Sequence, residues 1–440
     1  MASPPGGLVE GAPEDPRRHM DRILRVVLAL ALAATATVVA AEVGPAPGLR
    51  AAEPPVVFSG DVTDSSAVIW VRTGTPGAVR VEYGPTAALG RSTTPVTVTE
   101  ATDFTAKVEL SDLQAAARYF YRVVAEPGGT ASLVGELQTA PPPDAAAALA
   151  LAWGADTSER FRPFRIFDAI RAAQPDAFLF LGDTIYSDLD CGAQTLAEYR
   201  ECYRRNRADE PFRRFLRTVP VWTTWDDHEV ANNFDRTHPR LAIGRQAFLE
   251  YWPIRTPPAD PTRLHRSFRW GRLVEIFILD TRQYRSPAYD RDTPAKTMLG
   301  EQQRQWLLRG LAESRAHFKV VATSVPLKFH GADSWEGYTA ERQVILDTVA
   351  RGIRGVVFVS GDVHYAAVIR HREGVLEGIA GPLAAVINTR RRAAEYPETV
   401  FSFNRSFTFG LLRIEPSPPQ LAVELYDVDG RLLYRTVTGP

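Results

Sequence analysis

The chain has 440 residues, 45% of them hydrophobic, which is ample for a buried core and more than one ordinary domain holds. Its 51 Lys and Arg against 52 Asp and Glu leave a formal net charge of −1, which excludes a protein that binds polyanions through a global basic excess. The positive charge is almost all arginine, the lysines being Lys107, Lys296, Lys319 and Lys328.

The first readable element is Ile23 to Ala41, ILRVVLALALAATATVVAA, with arginines and a histidine before it and small residues at its end. A basic flank, a short apolar stretch and a small-residue exit describe a secretory signal over residues 1–41. A single membrane anchor is the alternative, against which the shortness and the many alanines of the run speak. Translation from Met1 would include Arg17-Arg18, which fit a twin-arginine export route; translation from Met20 would not. Secretion, or a periplasmic or other extracytoplasmic location, is therefore expected. No later segment is long and apolar enough to span a bilayer, and no nucleic-acid-binding module is visible.

Residues 42–54 are small and proline-rich and read as a linker. Short segments of strand character follow, among them Ala67–Val71, Val79–Tyr83, Thr105–Leu110 and Tyr119–Val124. About seven such strands, roughly 8–12 residues apart, predict a fibronectin- or immunoglobulin-like β-sandwich over residues 55–143, closed by Pro141-Pro142-Pro143. The pattern then changes. Apolar runs at Ala148–Trp153, Ala177–Leu181, Val219–Trp225, Leu273–Leu279, Phe318–Thr323 and Gly355–Val359 alternate with helical stretches at Phe164–Ala173, Leu196–Arg205, Arg240–Tyr251, Glu301–Ala312 and Glu341–Arg351. This predicts an α/β domain over residues 144–440 with largely buried strands. The tail returns to strand at Phe407–Ile414, Gln420–Tyr426 and Leu432–Thr438.

Cys191 and Cys202, eleven residues apart, suit a local disulfide in an exported protein and free thiols in a cytosolic one. They lie in Ser187–Arg217, which is rich in arginine: either a solvated helical face, or a segment that overhangs a site and draws in anions.

The chemistry sits where the apolar runs end. The first leads to Asp156, the second to Asp183, the third to Asp226-Asp227-His228, the fourth to Asp280-Thr281-Arg282, and the sixth to Asp362-Val363-His364. The carboxyl ends of the strands form the ligand crevice of an α/β sheet, so these residues converge. One such Asp is an ordinary turn or cap residue; several at one crevice need a compensating cation. Oxygen donors suit hard cations, imidazole admits iron, zinc or manganese, and two metals together can clamp a phosphate and activate water.

Five blocks, Gly182-Asp183-Thr184-Ile185-Tyr186, Trp225-Asp226-Asp227-His228-Glu229-Val230 with Asn232-Asn233, Leu279-Asp280-Thr281-Arg282-Gln283-Tyr284-Arg285, Gly300-Glu301-Gln302-Gln303 with Trp306-Leu307, and Ser360-Gly361-Asp362-Val363-His364, together resemble the alkaline phosphatase D (PhoD) family of the calcineurin-like metallophosphoesterases. The resemblance covers roughly residues 53 to 438. It implies a β-sandwich followed by a four-layer α/β/β/α catalytic domain that hydrolyses phosphate esters with a metal-activated water. It implies Asp156, Asp183, Tyr186, Asp227, Asp362 and His364 as metal ligands, Asp183 bridging. Tyr186 would be a phenolate ligand of ferric iron; packing beneath the site is its other reading. His228 would act with Asp227 in catalysis by protonating the leaving oxygen or steadying phosphate. Asp226 stands where the superfamily has glycine and Ser158 where it has histidine. Arg282 is the candidate for the substrate phosphate, with a salt bridge to Asp280 as the alternative, and Asn233 is a further candidate for substrate. Iron is the implied metal, calcium its possible partner, zinc or manganese the alternatives. The implied substrate is a small phosphate monoester or diester. A phospholipase D-like diesterase acting on phospholipid and a non-catalytic phosphate-binding surface protein on the same fold are the rival readings.

Overall fold

The computed structural model describes residues 54–389 and 396–440. The stretch expected to be a signal, all of the expected linker but its last residue, and the Arg390-Arg391-Arg392 run lie outside the described residues. None of the described helices is long and apolar enough to cross a membrane.

Two large sheets carry the architecture. The first has nine strands in the order Leu432–Thr438, Pro419–Asp427, Thr408–Pro416, Leu149–Gly154, Ala177–Phe180, Val221–Thr223, Val56–Gly60, Ala67–Arg72 and Thr105–Leu110. The second has seven, in the order Arg266–Trp270, Val274–Ile278, Phe318–Ala322, Val356–Ser360, Leu376–Ile379, Ala366–Arg370 and Thr399–Phe403. The central strands of both are parallel and buried on both faces, which is why Ala177–Phe180 and Val356–Ser360 read as unbroken apolar runs.

The sheets pack face to face over Trp153, Leu179, Trp222, Ile276, Val320 and Val359. Outside the first sheet, Phe167, Phe178, Phe180, Phe212 and Phe215 form an aromatic layer beneath helices Ile166–Ala172, Leu196–Arg207 and Glu210–Thr218. Phe167 and Phe212 stack there with ring centroids 4.4 Å apart. Outside the second sheet, helices Gly300–Glu313 and Thr339–Ala350 bury Leu307, Leu311, Ile345 and Leu346 on Phe277 and Phe358. Each fully buried side chain of this size contributes about 1.5–3 kcal/mol. The outcome is the α/β/β/α layering that the resemblance implies.

Helix boundaries follow local chemistry. Leu196–Arg207 opens with a capping box in which Glu198 Oε2 accepts from the Thr195 N–H at 2.8 Å. Glu210–Thr218, absent from the sequence expectation, starts at Asp209, whose carboxylate accepts from the Phe212 N–H at 3.1 Å. Its arginines hide its apolar stripe in the sequence.

The sandwich is built as its alternation predicts: Val79, Val81, Tyr121 and Val123 face Val57, Ile69 and Val71 across its interior, while Arg80, Glu82 and Arg122 form an ion-pair ladder outside. Its second sheet is separate and small. Its first sheet is not separate: Val56–Gly60 pairs parallel with Val221–Thr223, so three sandwich strands extend the nine-stranded sheet. Gly60 permits this approach, because a Cβ there would stand 2.5 Å from the Val221 carbonyl oxygen and 2.4 Å from Pro253 Cγ. Further contacts tie the same seam. The Trp70 indole donates to the Glu250 carbonyl at 2.7 Å, and Arg204 pairs with Asp103 at 2.8 Å. Arg207 is buried against the rings of Phe58, Tyr203, Phe212 and Trp252, 4.3 Å from the last.

Gly60→Ala should therefore strain this seam. Denaturant unfolding is expected to show a loss of about 1–3 kcal/mol, the range for overpacking a close-packed contact. An unchanged midpoint would mean that the strand pairing yields freely.

Candidate metal centre

The crevice lies where strands of both large sheets end. Leu149–Gly154 delivers Asp156, Ala177–Phe180 delivers Asp183 and Tyr186, and Val221–Thr223 delivers Asp226, Asp227 and His228. From the facing sheet, Val274–Ile278 leads to Asp280 and Arg282, and Val356–Ser360 to Asp362 and His364. The backbone at these ends is unusual. Asp156 (φ 72°), Asp183 (53°), Asn233 (58°), Asp362 (67°) and His364 (59°) all occupy the left-handed region. Non-glycine residues there are uncommon, Asp, Asn and His tolerate it best, and such strain gathers at functional sites.

Glu229 fixes the loops relative to one another. Its buried carboxylate accepts from the backbone N–H groups of Asp183 (2.9 Å), Thr184 (2.7 Å) and Asp226 (2.8 Å). Gly182, at φ 105°, lets the loops touch, since a Cβ there would lie 2.3 Å from the Asp226 nitrogen. Burial pushes the Glu229 carboxyl up to about 7, with the three N–H donors opposing it.

Three overlapping groups of donor atoms result, each with its atoms within 4.8 Å of one another: Asp156, Asp183 and His364; Asp183, Asp227 and His228; Asp226, Asp227 and Asp362. Asp183 is common to the first two and Asp227 to the last two. Tyr186 joins them, its hydroxyl 2.9 Å from His364 Nε2 and its ring stacked 4.2 Å from that of His228. Asp156 is wholly buried, and neither of its carboxylate oxygens has a hydrogen-bond partner. A buried carboxylate left in this state is costly unless a cation completes it. Oxygen, phenol and imidazole donors around an orphaned carboxylate fit a hard or borderline metal ion.

The electrostatics agree. Burial, and then the neighbouring carboxylates, hold Asp156, Asp183 and Asp362 well above the ordinary carboxylate range. Burial opposes ionisation of Asp227 too, but His228, Arg282 and the Asn233 N–H outweigh it and hold it down to about 2. Burial would lower His228, yet Asp227 and Asp188 overcome this and raise it to about 9. Cations among these carboxylates would favour their charged forms.

Asp188 was not singled out in the sequence. Its Oδ1 lies 2.6 Å from His228 Nδ1, and its Oδ2 accepts from the Asn232 N–H at 2.8 Å, so it fixes the imidazole. Asp333 was missed as well. It accepts from Arg282 through two nitrogens (2.8 and 3.0 Å) and from Arg285 (2.6 Å).

The surroundings of Arg282 are carboxylates. Its guanidinium is fully buried and spent on carboxylates: Nε on Asp226 at 2.5 Å, the fork on Asp333, and Nη2 3.5 Å from Asp362. A buried cation amid several anions stays with them. Asp280 takes the backbone N–H of Arg282, not the guanidinium. Asn233 lines the crevice; its N–H donates to Asp227 at 2.6 Å, and its amide, nitrogen toward Asp333, donates at 2.9 and 3.1 Å. Ser158 donates to Asp190 at 2.7 Å and not into the cluster. Arginines of the Ser187–Arg217 segment are engaged elsewhere: Arg200 pairs with Glu250, Arg205 with Glu159 and Arg214 with Asp168. Cys191 and Cys202 form a disulfide with Cα atoms 6.0 Å apart.

The crevice opens into a cavity of about 490 Å³ lined by Asp183, Asp227, His228, Asn233, Asp362 and His364, with Tyr289 and Phe329 also in its wall. Among the described residues, no Lys or Arg is in its lining.

Comparison with known proteins places this geometry in context. The family model described as PhoD-like phosphatase matches residues 150–386, and the PhoD-like phosphatase N-terminal domain matches residues 47–141. Alkaline phosphatase D of Bacillus subtilis (strain 168) is 28% identical over 308 residues, 58% of this chain and 52% of the relative, so the chain spans about half the length of that curated relative. Among solved structures, PhoD matches with a TM-score of 0.78 and 23% identity over 89% of this chain and 94% of that one. The purple acid phosphatase PPD1 from yellow lupin (Lupinus luteus) seeds matches with a TM-score of 0.63 and 15% identity over 88% of this chain and 74% of that one. Both share the fold.

Because Asp156, Asp183 and Asp362 retain protons far above the ordinary carboxylate range, metal loading must displace protons. Calorimetry in buffers of differing ionisation enthalpy is expected to show proton release on metal addition near neutral pH, with affinity falling as pH falls. The chelated protein holds more protons than its unfolded chain above the ordinary carboxylate range, so its stability should fall as pH rises there. The loaded protein should lack that loss; proton-neutral binding would contradict the cluster.

Proposed function

The chain belongs to the PhoD-like phosphatase family, and from that premise we propose that it is an exported, metal-dependent phosphoric ester hydrolase. The observation that carries the reading is the overlap of three donor groups at Asp183 and Asp227, beside the buried carboxylate of Asp156, which has no hydrogen-bond partner. Asp156, Asp183, Tyr186, Asp227, Asp362 and His364 would hold the metals, with iron favoured by the phenol of Tyr186, calcium as a partner, and zinc or manganese as alternatives. When bound, the metals supply positive charge to the phosphoryl oxygens and an activated water. The residues of the chain do the rest. His228, fixed by Asp188 and protonated at neutral pH, faces the cavity and supplies a proton to the leaving oxygen. Arg282 and Arg285 hold Asp226 and Asp333 in place, and Asn233 positions Asp227. The sandwich spans residues 55–143 and the catalytic portion 144–440. Export is supported by the disulfide.

The substrate we favour is a small phosphodiester. Among the described lining residues the positive charge is that of His228 alone, which suits the single charge of a diester better than a dianionic monoester. A second reading, hydrolysis of phospholipid, is favoured by exposed apolar side chains beside the site. Tyr289 in the cavity wall is 93% exposed, Val386 is 62% exposed and its carbonyl lies 2.5 Å from His364 Nδ1, and Leu189, 56% exposed, follows Asp188.

Hydrolysis of p-nitrophenyl phosphate, bis-p-nitrophenyl phosphate and phosphatidylcholine vesicles, alongside metal analysis, tests these readings. Faster turnover of the bis ester is expected; faster turnover of the vesicles supports the lipid reading, and no turnover with any metal sinks both. Asp183→Ala is expected to lose bound metal and on the order of 10² or more of the activity. Asp188→Asn should lower kcat by roughly 10–100-fold with KM little changed. Without the Asp188 charge His228 gives up its proton at lower pH, so the alkaline limb of kcat should also move down. An unshifted limb would remove His228 from the proton-donor role.

A further inference from the structure

A second cavity lies apart from the metal centre, where the sandwich strand Thr105–Leu110 faces helix Leu241–Tyr251. It measures about 510 Å³, within the range of small-molecule sites, and shares no residue with the carboxylate cluster. Ala106, Ala242 and Leu249 give it apolar wall.

Two cations stand in that wall. Lys107, one of only four lysines in the chain, donates one hydrogen bond from Nζ, to the Ile254 carbonyl at 3.0 Å. Arg245 donates from Nη1 to the Gln283 amide oxygen at 3.0 Å. Among the described residues neither forms an ion pair, whereas most arginines at this seam do. Glu250, the sole carboxylate among the lining residues, is taken up by two nitrogens of Arg200, each at 2.7 Å. Burial pushes the Lys107 amine down to about 8; Asp61 and Glu250 favour its charge and Arg266 opposes it. A desolvated ammonium without a counter-ion is unfavourable, and an anion in the cavity would relieve it.

We propose that this cavity binds a small organic monoanion, an aliphatic carboxylate whose charged end meets Lys107 and Arg245 and whose apolar body lies on Ala106, Ala242 and Leu249. A single charge suits the wall, whose lining holds two cations and one carboxylate. The site stands independently of the hydrolytic reading.

Calorimetric titration of the metal-loaded protein with octanoate and with octanol tests it. Octanoate is expected to bind at least about tenfold more tightly than octanol. Lys107→Gln should weaken octanoate at least about tenfold while Lys107→Arg largely retains it, with metal content unchanged in both. Equal affinity for acid and alcohol, undiminished octanoate binding by a folded Lys107→Gln, or no heat up to about 10 mM octanoate would overturn the proposal. Should Lys107→Gln not fold, acetic anhydride labelling of the unsubstituted protein decides. Octanoate must slow acetylation of Lys107 relative to Lys328, and equal labelling with and without it overturns the site.

Discussion

Five aspartates, Asp156, Asp183, Asp226, Asp227 and Asp362, are buried within reach of one another, and their mutual repulsion is the constraint around which the molecule is arranged. Such a cluster cannot be left to flexible loops, because repulsion would splay it. The fold answers with restraint from beneath. Glu229 gathers three backbone N–H groups from two loops, Arg282 grips Asp226 and Asp333, and Arg285 reinforces Asp333. The left-handed backbone at Asp156, Asp183, Asp362 and His364 is tolerated because these restraints over-determine it. The remaining imbalance is a pre-formed demand for cations.

The parts of this arrangement that sequence reveals are those carried by local pattern. Unbroken apolar runs marked the buried strands, and polar residues just beyond them marked the crevice, so the positions of Asp183, Asp227, Asp362 and His364 were legible. Asp156 was legible beyond the first run, whereas Tyr186 was legible mainly through spacing shared with a family. What remained hidden depends on long-range closure. Asp188 lies forty residues before the imidazole it orients, and Asp333 fifty-one residues after the arginine it pairs with. Glu229 was quoted within a motif but has no local mark of its role, which is set by the loop Asp183–Thr184. Arg282 shows the converse: a residue type suited to phosphate is committed to carboxylates once buried among them. The Glu210–Thr218 helix escaped notice because arginines outside mask phenylalanines inside.

The sandwich bears on the site through the same sheet. Val221–Thr223 touches a sandwich strand on one side and Ala177–Phe180 on the other, and its chain runs on within a few residues to Asp226 and Asp227. Arg207 strengthens this region without a carboxylate. Burial pushes its guanidinium down to about 10, and aromatic faces from sandwich and catalytic portion surround it. Charge dispersed over rings, not paired with an anion, joins the two portions there.

The parallel pairing of Val56–Gly60 with Val221–Thr223 also sets an order of events for the chain. A ribosome releases the sandwich strands long before residue 221 exists, so the nascent sandwich carries an open strand edge, the kind of surface that invites pairing with other chains. Closing it spans a large sequence separation, which slows folding. The strand is only five residues long and ends in glycine, which keeps the waiting edge brief. The chain thus completes, across the whole sandwich and beyond it, the sheet edge on which the crevice loops will rest.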